Sequence, residues 1–257
     1  MESYVTNKTV LITGAGRRIG GAIATYLART GWTVVVHYNS SIAEAEQTIN
    51  IIKAKGGKAH GIKGDLTNPK EAAKIISVAT ELAGQLGCLI NNASVFERDE
   101  IETATIESWN VHMDVNLRAP VFLSQAFAQQ CKTDDRASII NIIDERVWNL
   151  TPYFMSYSTS KAGLWTLTKT LALALSPQIL VNGIGPGPTL PSARQSKEQF
   201  ESQCRSLPLG HGASLEEICE AVNFLLCAPS VTGQMIVLDG GQHLGWKHGA
   251  VTDMLEE

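Results

Sequence analysis

Tyr157 and Lys161 stand four residues apart in the run Tyr157-Ser158-Thr159-Ser160-Lys161. On a helix that spacing puts both side chains on one face, one turn from each other. An ammonium held near a phenol favours the phenolate, so the pair predicts a tyrosine of lowered pKa that exchanges a proton near neutral pH. Asp144 precedes the tyrosine by thirteen residues and could join it in acid–base work. A Tyr-x-x-x-Lys spacing is too short to identify an enzyme by itself, and an ordinary surface helix can carry it. The glycine-rich start of the same chain gives it weight.

Thr9-Val10-Leu11-Ile12-Thr13 is a short apolar, β-rich run and predicts a buried strand. Gly14-Ala15-Gly16-Arg17-Arg18-Ile19-Gly20 follows, and then a helical pattern through Ala22, Ile23, Tyr26 and Leu27. Strand, glycine turn and helix together make a phosphate cradle, because missing side chains let backbone N–H groups approach a pyrophosphate. The candidate contacts in this loop are Gly14, Arg17, Arg18, Ile19 and Gly20. The second strand, Thr33 to His37, ends without the acidic residue that would bind the ribose 2′-hydroxyl of NAD. His37, Tyr38, Asn39 and Ser40 stand there instead, and with Arg17 and Arg18 they offer donors and positive charge to a 2′-phosphate. This favours NADP over NAD.

The elements that must position these residues alternate regularly. A helix opens at the capping-box pattern Ser41-Ile42-Ala43-Glu44, a third strand runs from Ala59 to Lys63, and Asn68-Pro69 starts another helix. Cys88 to Asn91 forms strand four, followed by the polar segment Asn92-Ala93-Ser94-Val95-Phe96. One long helix is expected over Ile106 to Gln130 with Asn116 inside it, then strand five over Ser138 to Ile143 with Asp144 at its end. The Tyr157 helix, strand six (Leu180 to Ile184), the turn Gly185-Pro186-Gly187-Pro188-Thr189, a helix capped at Ser214 and a last strand (Met235 to Leu238) complete the order. Such alternation predicts an α/β fold: one Rossmann-type doubly wound parallel sheet of about seven strands with helices on both faces. One domain over 1–257 is expected, with a dinucleotide-binding start at 6–40, a substrate loop at 185–213 and a tail at 242–257.

Composition excludes several classes. At 257 residues, 44% hydrophobic and 18% charged, the chain can bury a sizeable core. A net charge of −4 gives no electrostatic reason for a nucleic-acid partner. No apolar run is long enough to span a bilayer, and the start has no secretory pattern, so a cytoplasmic enzyme is expected. Five cysteines form no Cys-x-x-Cys pair, which argues against a disulfide frame and against a metal site.

Over nearly its whole length the chain resembles the short-chain dehydrogenase/reductases. The landmarks are Thr13-Gly14 to Gly20, Asp65, Asn91-Asn92-Ala93, Asn116, Tyr157-x-x-x-Lys161, Asn182, Pro186-Gly187 and Asp239-Gly240-Gly241. The resemblance implies that Tyr157 donates or accepts the proton and that Lys161 lowers its pKa and binds the nicotinamide ribose. Asn116 is implied to hold a relay water. Asp65 and Leu66 are implied at the adenine, Asn91, Ala93 and Ser94 along the nucleotide, and Pro186, Gly187 and Thr189 at the pyrophosphate or carboxamide. The resemblance also implies a homotetramer.

Two departures are similar to the pteridine reductases: Asp144 where most members have Ser, and Arg18 where the phosphate loop usually has its middle glycine. Asn92-Ala93-Ser94-Val95-Phe96 is similar to that group's Asn-Ala-Ser-x-Phe, whose Phe stacks on a pterin. An ionised carboxylate cannot donate to a carbonyl substrate, but it suits one that offers N–H groups. A flat heterocycle stacked on Phe96 gains about 0.5–1.5 kcal/mol beyond area burial. The resulting expectation is NADPH-dependent reduction of a dihydropterin, or of dihydrofolate, with Arg18, Ser94, Phe96, Asp144 and Tyr157 at the substrate. A general carbonyl reductase of the 3-oxoacyl carrier-protein type and a non-catalytic NADP sensor are the competing expectations. Trp246 falls about where some pteridine reductases carry an arginine that enters a neighbouring site.

Overall fold

Val10, Leu11 and Ile12 alternate across the first strand: Val10 and Ile12 join one core cluster and Leu11 the other. Val34, Val35 and Val36 split in the same way. A strand apolar on both sides must be covered on both sides, which is the signature of a parallel sheet between helical layers. The computed structural model describes residues 3–245; of the expected tail at 242–257, residues 246–257, Trp246 among them, lie outside the described residues.

The strands are β1 (Thr9–Ile12), β2 (Thr33–Tyr38), β3 (Lys58–Lys63), β4 (Cys88–Asn91), β5 (Ala137–Ile142), β6 (Ile179–Pro186) and β7 (Met235–Leu238). They form one parallel sheet in the order β3-β2-β1-β4-β5-β6-β7. The helices are α1 (Arg18–Arg29), α2 (Ile42–Ala54), α3 (Pro69–Ala83), α4 (Ile106–Met113), α5 (Ala119–Gln130), α6 (Met155–Leu175), α7 (Lys197–Arg205) and α8 (Leu215–Cys227). Residues of α1, α2 and α8 build the core on one face, and residues of α3, α5 and α6 build it on the other. The strand order reverses between β1 and β4, which opens a crevice at their carboxyl ends.

Local chemistry explains most boundaries. Asn68 caps α3 by accepting from the Lys70 amide at 3.0 Å, with Pro69 at the first helical position. The Ser214 box at α8 is closed in both directions, by Glu217 N to Ser214 Oγ at 3.2 Å and Ser214 N to Glu217 Oε2 at 2.7 Å. The box expected at Ser41 is not made: its hydroxyl makes no cap bond, and Glu44 turns toward Arg17 at 3.8 Å. Ser196 and Gln199 form a closed box at the start of α7, a helix the sequence reading did not assign.

The long helix expected over 106–130 is broken. Between α4 and α5 the backbone widens into a π turn, Asp114–Arg118, and the Ala119 amide reaches back to the Asp114 carbonyl. Pro120 is the reason. It has no N–H to give to the Asn116 carbonyl four residues back, and its ring would clash there in a regular helix. The widened turn aims the Asn116 side chain at the loop after β4.

Candidate active site

β1, the following loop and α1 build the phosphate end of the crevice. Gly14 sits at φ +61°, and a Cβ there would lie 2.9 Å from the Ala93 Cα, so the position demands glycine. Thr13 Oγ1 accepts from the amides of Asn92 at 2.9 Å and Ala93 at 3.0 Å, which locks the ends of β1 and β4 together. α1 begins at Arg18 with no side-chain cap on its first turn, so its amides are left for a ligand. Uncapped amides beside a floor without side chains fit a dinucleotide pyrophosphate.

Arg18 is a left-handed residue at φ 54°, where a glycine would be unstrained. Holding a side chain there costs on the order of 1–2 kcal/mol. Its guanidinium donates to the Pro191 carbonyl at 2.9 Å and the Leu190 carbonyl at 3.4 Å, so it fastens the loop after β6 across the mouth. Arg17 is exposed and points at Glu44. Asn39, Ser40, Ser41, Asp65 and Leu66 line the same end. Asp65 accepts from the Thr67 amide at 2.9 Å and the Thr67 hydroxyl at 2.8 Å.

His37 takes a different place from the donor expected at β2. It is 1% exposed. Its Nδ1 accepts from the Gly14 amide at 3.2 Å, which leaves the Nε2–H to donate to the Gly64 carbonyl at 3.1 Å. Both nitrogens are thus committed to shaping the phosphate loop, and the ring has no hydrogen left for a phosphate. Burial lowers the His37 pKa to about 4, against smaller opposing effects of Gly64 and Asp65. The folded pKa lies below the unfolded 6.5, so this residue's stability is complete above pH 6.5 and is lost as pH falls toward 4. The stability difference between wild type and His37→Asn is expected to shrink by roughly 3 kcal/mol from pH 7 to pH 4, read by urea unfolding. A difference that stays constant over that range would contradict it.

His37 still lines the cleft, whereas two other expected contacts, Tyr38 and Asn91, lie away from its wall. Tyr38 packs against the core on one face of the sheet. Asn91 is buried and donates its amide to Asn141 Oδ1 at 2.8 Å, and Asn141 in turn donates to Thr168 Oγ1 at 2.8 Å. These two side chains tie the sheet together below the site. Ile19, Gly20, Ala93, Ser94, Pro186, Gly187 and Thr189 do line the cleft, whose volume is about 650 Å³. That volume is in the range of cofactor-sized sites.

At the other end of the cleft stand Asp144, Tyr157 and Lys161. The Tyr157 hydroxyl donates to Asp144 Oδ2 at 2.6 Å, and Asp144 Oδ1 accepts from the Arg146 amide at 2.9 Å. Lys161, 2% exposed, donates to the Ile142 carbonyl at 2.8 Å and lies 5.8 Å from the Tyr157 ring centroid. Burial lowers the lysine pKa to about 8, with Asp144 acting the other way. The tyrosine shift is opposite to the sequence expectation. Burial first, then the charge and hydrogen bond of Asp144, hold Tyr157 well above 10, so it is a neutral phenol. Lys161 does not reverse this, because its ammonium is aimed at a backbone carbonyl and the hydroxyl at a carboxylate.

Asn116 Oδ1 accepts from the Val95 amide at 2.8 Å, and its Nδ2 donates to the Val95 carbonyl and to Ser160 Oγ, both at 3.0 Å. The side chain therefore clamps the β4 loop to α6. Phe96 follows Val95 and stacks on Phe154, with centroids 4.4 Å apart and planes 10° apart. It meets Tyr157 edge-on at 4.7 Å. Arg194 and Arg146 flank this aromatic pair, at 5.3 and 5.8 Å from the Phe96 centroid. Arg194 also donates to the Phe96 carbonyl at 3.0 Å and pairs with Glu97 at 2.9 Å. Phe154, Arg146 and Arg194 were not assigned from the sequence. An aromatic three residues before Tyr157 was the available signal for Phe154; the two arginines carried none.

An acid beside a buried phenol and lysine, facing an uncapped helix start, is the arrangement of a nicotinamide-dependent reductase, and known proteins agree. Residues 8–202 match the short chain dehydrogenase family model. The chain belongs to the short chain dehydrogenase family, a family of oxidoreductases. It is similar to a solved structure of the FolM alternative dihydrofolate reductase 1 of Brucella suis in complex with NADP. Identity there is 43% and TM-score 0.91, over 95% of this chain and 98% of that one. The Brucella canis counterpart, also complexed with NADP, is 41% identical at TM-score 0.90, over 97% and 100% of the two chains. A 3-oxoacyl-[acyl-carrier-protein] reductase of Synechocystis is 30% identical, over 92% of this chain and 97% of the relative. Among the described residues no cluster could hold a metal ion, and no helix is long and apolar enough to cross a membrane.

Proposed function

We propose that this protein is an NADPH-dependent pteridine reductase, acting on a dihydropterin or on dihydrofolate. The hydrogen bond from Tyr157 to Asp144 carries the proposal. A carboxylate at that position opposes a developing alkoxide but accepts N–H groups, which a pterin ring presents and a simple ketone does not. Phe96 supports it, as an aromatic ring at the substrate end in edge contact with Tyr157. The likeness to two dihydrofolate reductases solved with NADP supports the same substrate class.

NADPH supplies the hydride when bound in the cleft. Gly14, Gly20 and the first turn of α1 would receive its pyrophosphate, and Asn39, Ser40 and Arg17, which also line the cleft, would hold its 2′-phosphate. Tyr157, kept protonated by burial and by Asp144, is the proton donor to the ring nitrogen beside the reduced carbon. As the hydroxyl turns to that nitrogen, Asp144 is freed to accept from an N–H of the substrate. Lys161 holds positive charge near the phenol as the proton leaves.

The Synechocystis relative favours a second reading, reduction of a 3-oxoacyl thioester. NADPH oxidation measured side by side with a 7,8-dihydropterin, dihydrofolate and an acetoacetyl thioester separates them. Pterin turnover is expected; thioester turnover alone would replace the proposal with the second reading.

The proposed assembly is a homotetramer in the cytoplasm. Phe122 on α5 and Leu173 on α6 are exposed apolar residues on the helix layer that carries Tyr157, as a helix-bundle contact requires. Light scattering at four times the chain mass is the expected result.

A further inference from the structure

α6 carries Tyr157 and Lys161 but starts without a cap of its own. The residue before it, Phe154, sits in the left-handed region at φ 60°, with its ring buried against Phe96. It makes no side-chain cap bond. The first amides of α6 turn instead to Asp99, far back in the chain: Met155 N donates to the Asp99 carbonyl at 3.3 Å and Ser156 N to Asp99 Oδ1 at 3.0 Å. The Ser156 hydroxyl donates to Asp99 Oδ2, as does Ser108 Oγ at 3.1 Å. Ser108 itself belongs to the capping box of α4, so one carboxylate faces the positive ends of two helices. Asp99 is 2% exposed and takes no part in the chemistry above.

The position of this acid gives it leverage. Three residues before it is Phe96; one residue after Ser156 is Tyr157. His112 adds a second strap, accepting from the Glu97 amide at 3.1 Å and donating to the Ser108 carbonyl at 2.7 Å, with its ring 6.2 Å from that of Tyr157. We propose that Asp99 is a positioning residue: it supplies from the β4 loop the cap α6 lacks, and so fixes the Tyr157 hydroxyl relative to the ring of Phe96. This rests on Tyr157 being the proton donor. Asp99 touches neither the substrate nor the cofactor and acts through the tyrosine.

The test is a double-mutant cycle in the full chain, with NADPH and a dihydropterin as substrates. Asp99→Ala is expected to lower kcat about 10- to 100-fold, because small displacements of a reacting group carry effects of that order. The dissociation constant for NADPH, read by cofactor fluorescence, should change by less than about twofold. In a Tyr157→Phe background the same substitution should leave the residual rate unchanged. Asp99→Asn, which keeps the acceptor for Ser156 N, should restore most of kcat. An equal fall in both backgrounds would mean general damage to the fold and overturn the proposal. So would an Asp99→Ala enzyme with unchanged kcat. If Asp99→Ala does not fold, Ser156→Ala, which removes one hydroxyl that Asp99 accepts from, is put through the same cycle and read by the same criterion. A Tyr157→Phe enzyme with full activity would instead remove the proton-donor reading, and that outcome is visible before Asp99 is touched.

Discussion

Tyr157→Phe is expected to lower kcat by about 10²- to 10⁴-fold, the usual contribution of a positioned general acid. NADPH affinity should hold within about twofold, because the lost atom is a single hydroxyl whose partner in the protein is Asp144. Steady-state turnover and a fluorescence titration of the cofactor check the two halves. The size of the effect follows from the environment. Burial and Asp144 keep the phenol protonated across the working pH range, so at neutral pH the donor is loaded. The group that titrates nearby is Lys161, with its pKa lowered to about 8 by burial. Above that pH the lysine loses the charge that steadies the departing proton. Full biological function in the Phe variant would point instead to a protein that binds NADP without catalysis.

Asp144→Ser is expected to remove pterin reduction, with a fall of about 10²-fold or more in kcat/KM, comparable to deleting a charged hydrogen-bond partner of the reacting groups. The substitution restores the hydroxyl that most members of the family carry. It also takes away the acceptor for a substrate amino group and the partner that fixes the Tyr157 hydroxyl at 2.6 Å. Two of the causes that raise the Tyr157 pKa disappear with it, so the phenol should titrate lower, although burial keeps it above its ordinary value. A spectrophotometric titration reads that shift independently of activity. Undiminished pterin turnover in Asp144→Ser would show that the acid has no part in substrate choice.

The sequence carried the architecture because its signals are local. Alternating valines, the glycine turn after β1, Asn68-Pro69 and the Ser214 box each act within a few residues, and each stands in the structure at the expected place. Where a distant contact decides, the reading departed. Ser41 and Glu44 have the spacing of a box, but Arg17 draws the glutamate away. Pro120 was visible inside the long helix, yet the way its break turns Asn116 onto Val95 depends on a loop 21 residues earlier. The site shows the same division. Tyr157 and Lys161 lie near each other as their spacing implied, and Tyr157 meets Asp144, which the family resemblance had set beside it. His37 and Asn91 were placed at the right strand ends, but the hydrogen bonds that occupy them come from the segments after β1 and β3 and from β5. The cap on α6 comes from 57 residues upstream, and no periodicity within the helix could announce it.

The central claim is that a pterin ring receives the hydride in this cleft. Its most direct test is a single turnover with NADPH carrying deuterium at the transferable position, a 7,8-dihydropterin and excess enzyme, followed by mass analysis of the product. The account predicts a tetrahydropterin one deuterium heavier, formed at a rate that collapses in Tyr157→Phe. A pterin returned unlabelled, beside an acetoacetyl thioester that takes up the deuterium under the same conditions, would contradict it.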